Sequence, residues 1–169
     1  CLNPNLVKEI TLQPLKRFNL DAAIIFSDIL MIPYGLGQEV EFKKGFGPIL
    51  GEIKLDNIVN TSSINFIKKL LPIYKGIEKV KNNIKEKNLI GFVGGPWTLL
   101  LYMLNKQSPK NNFDFNKINK DQFLINILLK KIEEMICLHA DKQIEAGASV
   151  IQIFDSWAGL LPKKELPNY

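Results

Sequence analysis

The chain contains the run Ile151-Gln152-Ile153-Phe154-Asp155-Ser156-Trp157-Ala158-Gly159, in which an apolar segment with strand character ends abruptly in small and polar residues. Two earlier segments, 21–30 and 89–98, have the same design, and amphipathic helical sequence lies between them. This alternation is typical of parallel strands joined by helical crossovers. We therefore predict an α/β fold whose polar side chains gather at the carboxyl edge of the strands.

Length and composition indicate one globular domain. The chain has 169 residues, of which 46% are hydrophobic and 23% charged, close to the globular average. Its first residue is Cys1 rather than Met, so we expect it to be part of a longer chain. Two cysteines are too few for a disulfide framework, which favours a reducing, cytoplasmic location.

Charge and hydropathy argue against nucleic-acid and membrane partners. The net charge of +5 comes largely from a lysine-rich tract at 79–87, which contains no arginine and no aromatic residue. Single-stranded nucleic acids are usually bound by basic residues interleaved with aromatic ones. The apolar stretch at 99–104 is far shorter than the ~20 residues that span a bilayer.

Apolar spacing predicts the individual elements. We expect the first strand to be covered on both faces because it is apolar throughout. Pro14 should break the first helix near Gln13, and the last long helix should be bent or divided, with Gly147 ending it. The predicted strands are 21–26, 89–93 and 149–154, with a hairpin at 39–50; the predicted helices are 3–18, 63–70, 73–87, 96–104 and 120–146, with a polar loop at 105–119.

Three polar positions and one loop could carry chemistry, and each has a structural alternative. Asp28 stands among apolar residues and either serves a site or caps a turn. Tyr102 either offers its hydroxyl to a partner or packs in the core. Asp155-Ser156 either meets a ligand or caps a helix. The strand-to-helix turn at 91–98 either binds an anion at free amides or serves tight packing.

Metal and triad chemistry are not predicted. Cys137 and His139 are two residues apart on a helix and therefore point in different directions, and the sequence has no second cluster to complete a metal site. Ser156 has no plausible histidine partner for nucleophilic catalysis.

Several segments, taken together and in this order, resemble the uroporphyrinogen decarboxylase family. The resemblance implies a (β/α)8 TIM barrel of which residues 1–169 form a single partial domain, because such barrels take about 250 residues. It follows that the chain alone should be inactive. The segments are Thr11-Leu12-Gln13-Pro14, residues 21–30, residues 90–92 with 95–99, and residues 143–148 running into 151–159.

The resemblance also implies an activity and a set of site residues. The family removes the four acetate carboxyls of uroporphyrinogen without a cofactor, giving coproporphyrinogen, and its members are usually homodimers. Asp28 resembles the carboxylate that meets the pyrrole N–H groups, with Ile29 beside it. Tyr102 and Ser156 resemble substrate-contacting hydroxyl residues, and Phe154 resembles an aromatic wall.

Three departures and two alternatives accompany the resemblance. Gly35 and Gly94 stand where the family often has alanine, and Phe46 stands where it commonly has a polar residue; we interpret all three as drift. A related branch of the superfamily transfers methyl groups to corrinoid proteins with a zinc bound by histidine and cysteine. A truncated, inactive copy that binds porphyrinogen or nothing is the other alternative.

Overall fold

The computed structural model describes residues 1–84, 86–109 and 121–161, which form helices α1–α6, strands β1–β5 and one turn of 3-10 helix, Ala158–Leu160. The helices are α1 (Pro4–Arg17), α2 (Met31–Gly35), α3 (Leu55–Asn60), α4 (Ser63–Ile84), α5 (Pro96–Asn105) and α6 (Gln122–Glu145). The strands are β1 (Ala22–Ile24), β2 (Val40–Lys43), β3 (Gly47–Leu50), β4 (Asn88–Gly94) and β5 (Val150–Phe154). The predicted loop residues 110–119 lie outside the described part.

Three parallel strands form the main sheet in the order β1-β4-β5. Ala23 is paired with Leu89, and Gly91 with Ile151, so the strands follow one another in chain order with helices between them. Strands β2 and β3 form a separate antiparallel hairpin, as predicted. The α/β prediction is confirmed, and the arrangement is part of a (β/α)8 barrel.

One face of the sheet is covered and the other is open within the described residues. Ala23 and Ile25 are buried, whereas the alternate residues Ile24 and Phe26 are 58% and 42% exposed. Helices α1 and α6 contact the strands on the covered side. Side chains of alternate residues point to opposite faces of a strand, and the described helices cover only one of these faces. The expectation that both faces of the first strand are covered is therefore wrong for the described chain.

Helix α1 is continuous, so the predicted break near Gln13 is wrong. The side chain of Asn3 begins the helix by accepting hydrogen bonds from the amides of Asn5 and Leu6. Val7 then packs so closely on α4 that a Cβ at Gly76 would lie 2.8 Å from its Cγ1. Pro14 is exposed, and the packing on α4 outweighs the single hydrogen bond that proline removes.

The two long helices are also single elements. Helix α4 continues through Pro72, where two helices were predicted, and α6 runs 24 residues without division. Buried residues at helical spacing along both helices hold them to the core. After α6, Gly147 has φ 113° and its amide donates to the carbonyl of Ile144 at 2.9 Å, which confirms the predicted helix stop.

No helix within the described residues is both long enough and apolar enough to span a bilayer. The largest fully buried side chains include Leu99 and Leu100 of α5. The core therefore anchors the helix that follows β4, and with it the carboxyl edge of the sheet.

Candidate active site

Asp28 lies in the turn that follows β1. The chain leaves the sheet at Phe26, whose amide donates to Thr11 Oγ1 at 2.9 Å instead of to a neighbouring strand. Asp28 Oδ1 then accepts from the amide of Leu30 at 2.8 Å, so the carboxylate does cap a turn. Its second oxygen has no hydrogen-bond partner among residues 1–84, 86–109 and 121–161, which leaves one acceptor for a ligand.

The surroundings of Asp28 perturb its titration. Burial raises the pKa of its carboxyl above the ordinary value, and the hydrogen bond from the Leu30 amide partly opposes that rise. A carboxylate that is half withdrawn from water interacts more strongly with a nearby N–H donor than an exposed one does. Capping and ligand binding are thus compatible at this residue.

Ile29 joins the end of β1 to the end of β4. A Cβ at Gly94 would lie 3.1 Å from Ile29 Cβ and 2.8 Å from a methyl carbon of Leu99. The absence of a side chain at Gly94 therefore permits this close approach, so the interpretation of this glycine as drift overlooked its packing.

Tyr102 lies on α5, which begins immediately after β4. Gly95 is the N-cap and Pro96 the first residue of the helix, as predicted from proline's preference for that position. Tyr102 is half-buried against the core, and its hydroxyl has no hydrogen-bond partner in the described part of the chain. Core packing of the ring and a free hydroxyl therefore coexist.

Phe154 and Ser156 stand at the end of β5. The ring of Phe154 is 39% exposed and packs edge-to-face on Phe92, with 5.5 Å between centroids. Ser156 is exposed. The contact between Phe92 and Phe154 was not predicted, although both residues lie in predicted strands.

Asp155 caps a helix, but not one that follows its own strand. Its Oδ1 accepts from Thr98 N at 3.1 Å and from Thr98 Oγ1 at 2.5 Å, at the start of α5. The amide of Gly95 donates to the carbonyl of Phe154 at 2.8 Å. The turn at 91–98 thus receives a carboxylate from the chain itself, and its amides at Gly95 and Thr98 are engaged.

Cys137 and His139 are placed differently. His139 is buried, and a 3.0 Å hydrogen bond joins its Nδ1 to the hydroxyl of Tyr74, whereas Cys137 is exposed. Burial lowers the pKa of His139 to about 4. No group of three or more potential metal ligands occurs among the described residues.

Sequence reasoning missed Gln143, which is buried and binds the backbone of Phe92 through both ends of its amide. The signal was present: Gln143 continues the buried helical spacing of Ile132, Met135 and His139 on α6. A polar residue at an apolar position of a helix face indicates a backbone partner.

The structure joins the candidate residues in pairs. Ile29 meets the end of β4, Phe154 meets Phe92, and the turn bearing Ser156 is bonded to α5, which carries Tyr102. All lie near or beyond the carboxyl ends of three adjacent parallel strands. No described contact joins Asp28 directly to Tyr102 or Ser156.

Comparison with known proteins gives consistent matches. The family model described as uroporphyrinogen decarboxylase (URO-D) matches residues 1–169. Uroporphyrinogen decarboxylase of Rickettsia bellii is 42% identical over 172 residues, covering 100% of this chain and 50% of the relative. The Rickettsia akari protein of that name is 41% identical, with 100% and 51% covered. The chain therefore spans about half the length of these relatives.

A solved structure has the same fold. A methyltransferase from Methanosarcina mazei superposes with a TM-score of 0.78, covering 99% of this chain and 51% of that protein. The two sequences are 17% identical, so the likeness concerns the fold alone.

Proposed function

The chain belongs to the uroporphyrinogen decarboxylase family, and we propose that it forms part of an active site that converts uroporphyrinogen III to coproporphyrinogen III and CO2. Because the chain spans about half of its relatives, this activity is proposed for the complete protein. The observation that supports it most directly is Asp28, a half-buried carboxylate with one oxygen bound to Leu30 and the other unpartnered among the described residues.

The proposed chemistry needs a fixed negative charge. A pyrrole acetate loses CO2 readily once its ring is protonated, because the electrons of the breaking C–C bond flow into the cationic ring. Asp28 would accept hydrogen bonds from the pyrrole N–H groups and stabilise the positive charge as it develops. The amide of Leu30 holds this carboxylate in place before substrate arrives, so little reorganisation is needed.

Apolar and hydroxyl groups would orient the macrocycle. Phe154 and Phe92 form a partly exposed aromatic pair at the carboxyl edge, and Ile29 adds an aliphatic surface beside Asp28. Such walls restrict a flexible tetrapyrrole to one conformation. Tyr102 and Ser156 would donate hydrogen bonds to its carboxylates, which their unpartnered hydroxyls within the described residues permit.

We further propose that residues 1–169 alone are inactive. Strands β1 and β5 each have an unpaired edge among the described residues, and Ile24 and Ile153 are exposed on the sheet. Unpaired edges favour association with other strands over a defined isolated fold. A homodimer in the cytoplasm is proposed for the complete protein from the family resemblance; sedimentation of the purified protein tests the dimer.

The test is anaerobic turnover of uroporphyrinogen by the complete protein, with products resolved by carboxyl number. We expect stepwise loss of four carboxyls and a decrease of about 100-fold or more in Asp28→Asn, the usual effect of removing a preorganised charge partner. Asp141→Asn makes the same change at an exposed carboxylate on α6 and should keep native turnover.

Failure of folded native protein to convert uroporphyrinogen would exclude the proposal. Stoichiometric zinc in that protein would then favour the corrinoid methyltransferase alternative. An interrupted reading frame would favour the inactive copy.

A further inference from the structure

We infer that Asp155 and Thr98 are positioning residues that fix the turn bearing Ser156 against helix α5. The inference rests on the proposed function, because Ser156 is assigned to substrate there. It concerns two residues that would not touch the substrate themselves. What points to them is a set of hydrogen bonds between the end of β5 and the first turn of α5.

Four hydrogen bonds connect these two segments. Asp155 Oδ1 accepts from both the amide and the hydroxyl of Thr98, at 3.1 and 2.5 Å. Thr98 Oγ1 in turn accepts from the amide of Trp157 at 3.0 Å. The amide of Gly95 donates to the carbonyl of Phe154 at 2.8 Å. The residues on both sides of Ser156 are therefore bonded to the same threonine.

The carboxylate of Asp155 replaces a missing cap. Helix α5 has glycine at its N-cap, so this residue has no side chain to bind the free amides of the first turn. Thr98 is the third helical residue, whose amide an N-cap side chain would normally bind. Asp155 reaches that amide from the next strand, and its negative charge also suits the positive end of the helix dipole.

Asp155 lies very close to the backbone of Gly95 at the start of α5. A Cβ at Gly95 would lie 2.6 Å from Asp155 Cγ and 2.7 Å from its Cβ. The cap can therefore come from β5 only because the N-cap residue lacks a side chain. Since Thr98 is fully buried, its hydroxyl has no ready access to bulk water as a substitute partner.

The same connection sets Ser156 relative to Tyr102. Thr98 and Tyr102 are four residues apart on α5, so they lie on the same face of the helix. One hydroxyl assigned to substrate follows Asp155 directly, and the other lies one turn beyond Thr98. A rigid link between Asp155 and Thr98 therefore fixes two substrate contacts that come from different elements.

The first test compares Thr98→Val with Thr98→Ser in the complete protein. Valine has nearly the same shape and keeps the amide that Asp155 caps, but it loses the hydroxyl bonds to Asp155 and Trp157. We expect kcat/KM for uroporphyrinogen to fall about tenfold in the valine variant, because two hydrogen bonds of modest net strength are lost, and to be largely restored in the serine variant.

A double-mutant cycle with Ser156→Ala separates positioning from general stability. If Thr98 acts through Ser156, Thr98→Val should have little further effect once the serine hydroxyl is absent. Multiplicative losses, in which each change lowers kcat/KM by the same factor in either background, would overturn the inference. Activities are compared per folded molecule, with the folded fraction taken from urea unfolding of each variant.

Amide hydrogen exchange tests the link without any turnover. The Trp157 amide should exchange at least about tenfold faster in Thr98→Val than in native protein, while the amides of β4 keep their protection. Equal protection of Trp157 in both proteins would overturn the inference. If native protein does not turn over, the proposed function fails, and this measurement alone decides whether the turn is held by Thr98.

Discussion

Gln143 binds both backbone groups of Phe92, although the two residues lie on different elements. Its Oε1 accepts from the amide of Phe92 at 3.1 Å, and its Nε2 donates to the carbonyl at 2.9 Å. The side chain passes over Gly91, where a Cβ would lie 2.5 Å from Gln143 Oε1. A helix side chain here replaces a strand partner, because the ladder between β1 and β4 ends at the pair Ile24 and Ile90.

Replacing Gln143 should destabilise the sheet. Gln143→Met keeps the length of the side chain but leaves an amide and a carbonyl of β4 without partners. We expect the free energy of unfolding to fall by about 2–4 kcal/mol, measured by urea denaturation of the complete protein. Gln152→Met is the matched control, because Gln152 is exposed and bonds only to the carbonyl of neighbouring Ile153. Equal effects of the two changes would contradict the assigned role of Gln143.

His139 should make stability depend on pH. Burial lowers its pKa in the folded protein to about 4 from an ordinary 6.5, so the unfolded chain binds a proton at higher pH than the folded one. Its contribution is therefore complete above about pH 6.5 and decreases as the pH falls toward 4. The loss reaches about 3 kcal/mol at 1.36 kcal/mol per unit.

The check on His139 is urea unfolding at several pH values between 4 and 8. His139→Asn removes the titrating group at a site where the partner is the hydroxyl of Tyr74. The difference in free energy of unfolding between native protein and this variant should change with pH only below about 6.5. A constant difference over the whole range would mean that His139 titrates normally in the folded protein.

Gly35→Ala should be destabilising in spite of its small size. An added Cβ would fall inside contact distance of the Phe66 ring, which is fully buried and edge-to-face with His139. Overpacking of this kind costs about 1–3 kcal/mol, and thermal unfolding measures it. Gly159→Ala is the control, since a Cβ there would have no atom within 4 Å and the residue has no positive φ. An unchanged midpoint in Gly35→Ala would show that Phe66 moves aside.

Tyr102→Phe should separate function from stability. The hydroxyl has no partner among the described residues, so its removal should change the free energy of unfolding by less than about 0.5 kcal/mol. If it binds a substrate carboxylate as proposed, kcat/KM for uroporphyrinogen should fall about tenfold. Unchanged turnover would remove Tyr102 from the proposed site, whereas a large loss of stability would indicate a structural partner.

Much of the fold could be predicted because its signals are local. Strand runs ending in polar residues, proline at the start of α5 and glycine after α6 each depend on neighbours in sequence. The predicted break at Pro14 and the predicted division of α4 were wrong because packing across the molecule outweighed a local preference. The exposure of Ile24 and Phe26 likewise could not be predicted, because it depends on which other elements cover the strand and not on the strand's own residues.

Some features of the candidate site could likewise be predicted from the sequence, and others depend on tertiary packing. From its sequence alone this protein could be recognised as an α/β chain of parallel strand–helix units, with Phe154 ending a strand and Asp28 and Ser156 following strands. These features depend on residue type and on neighbours in sequence. Only the tertiary structure determined that Asp155 caps another element's helix and that Gln143 completes β4. Hydrogen bonds between residues more than fifty positions apart have no periodicity in sequence, because they depend on how the elements pack.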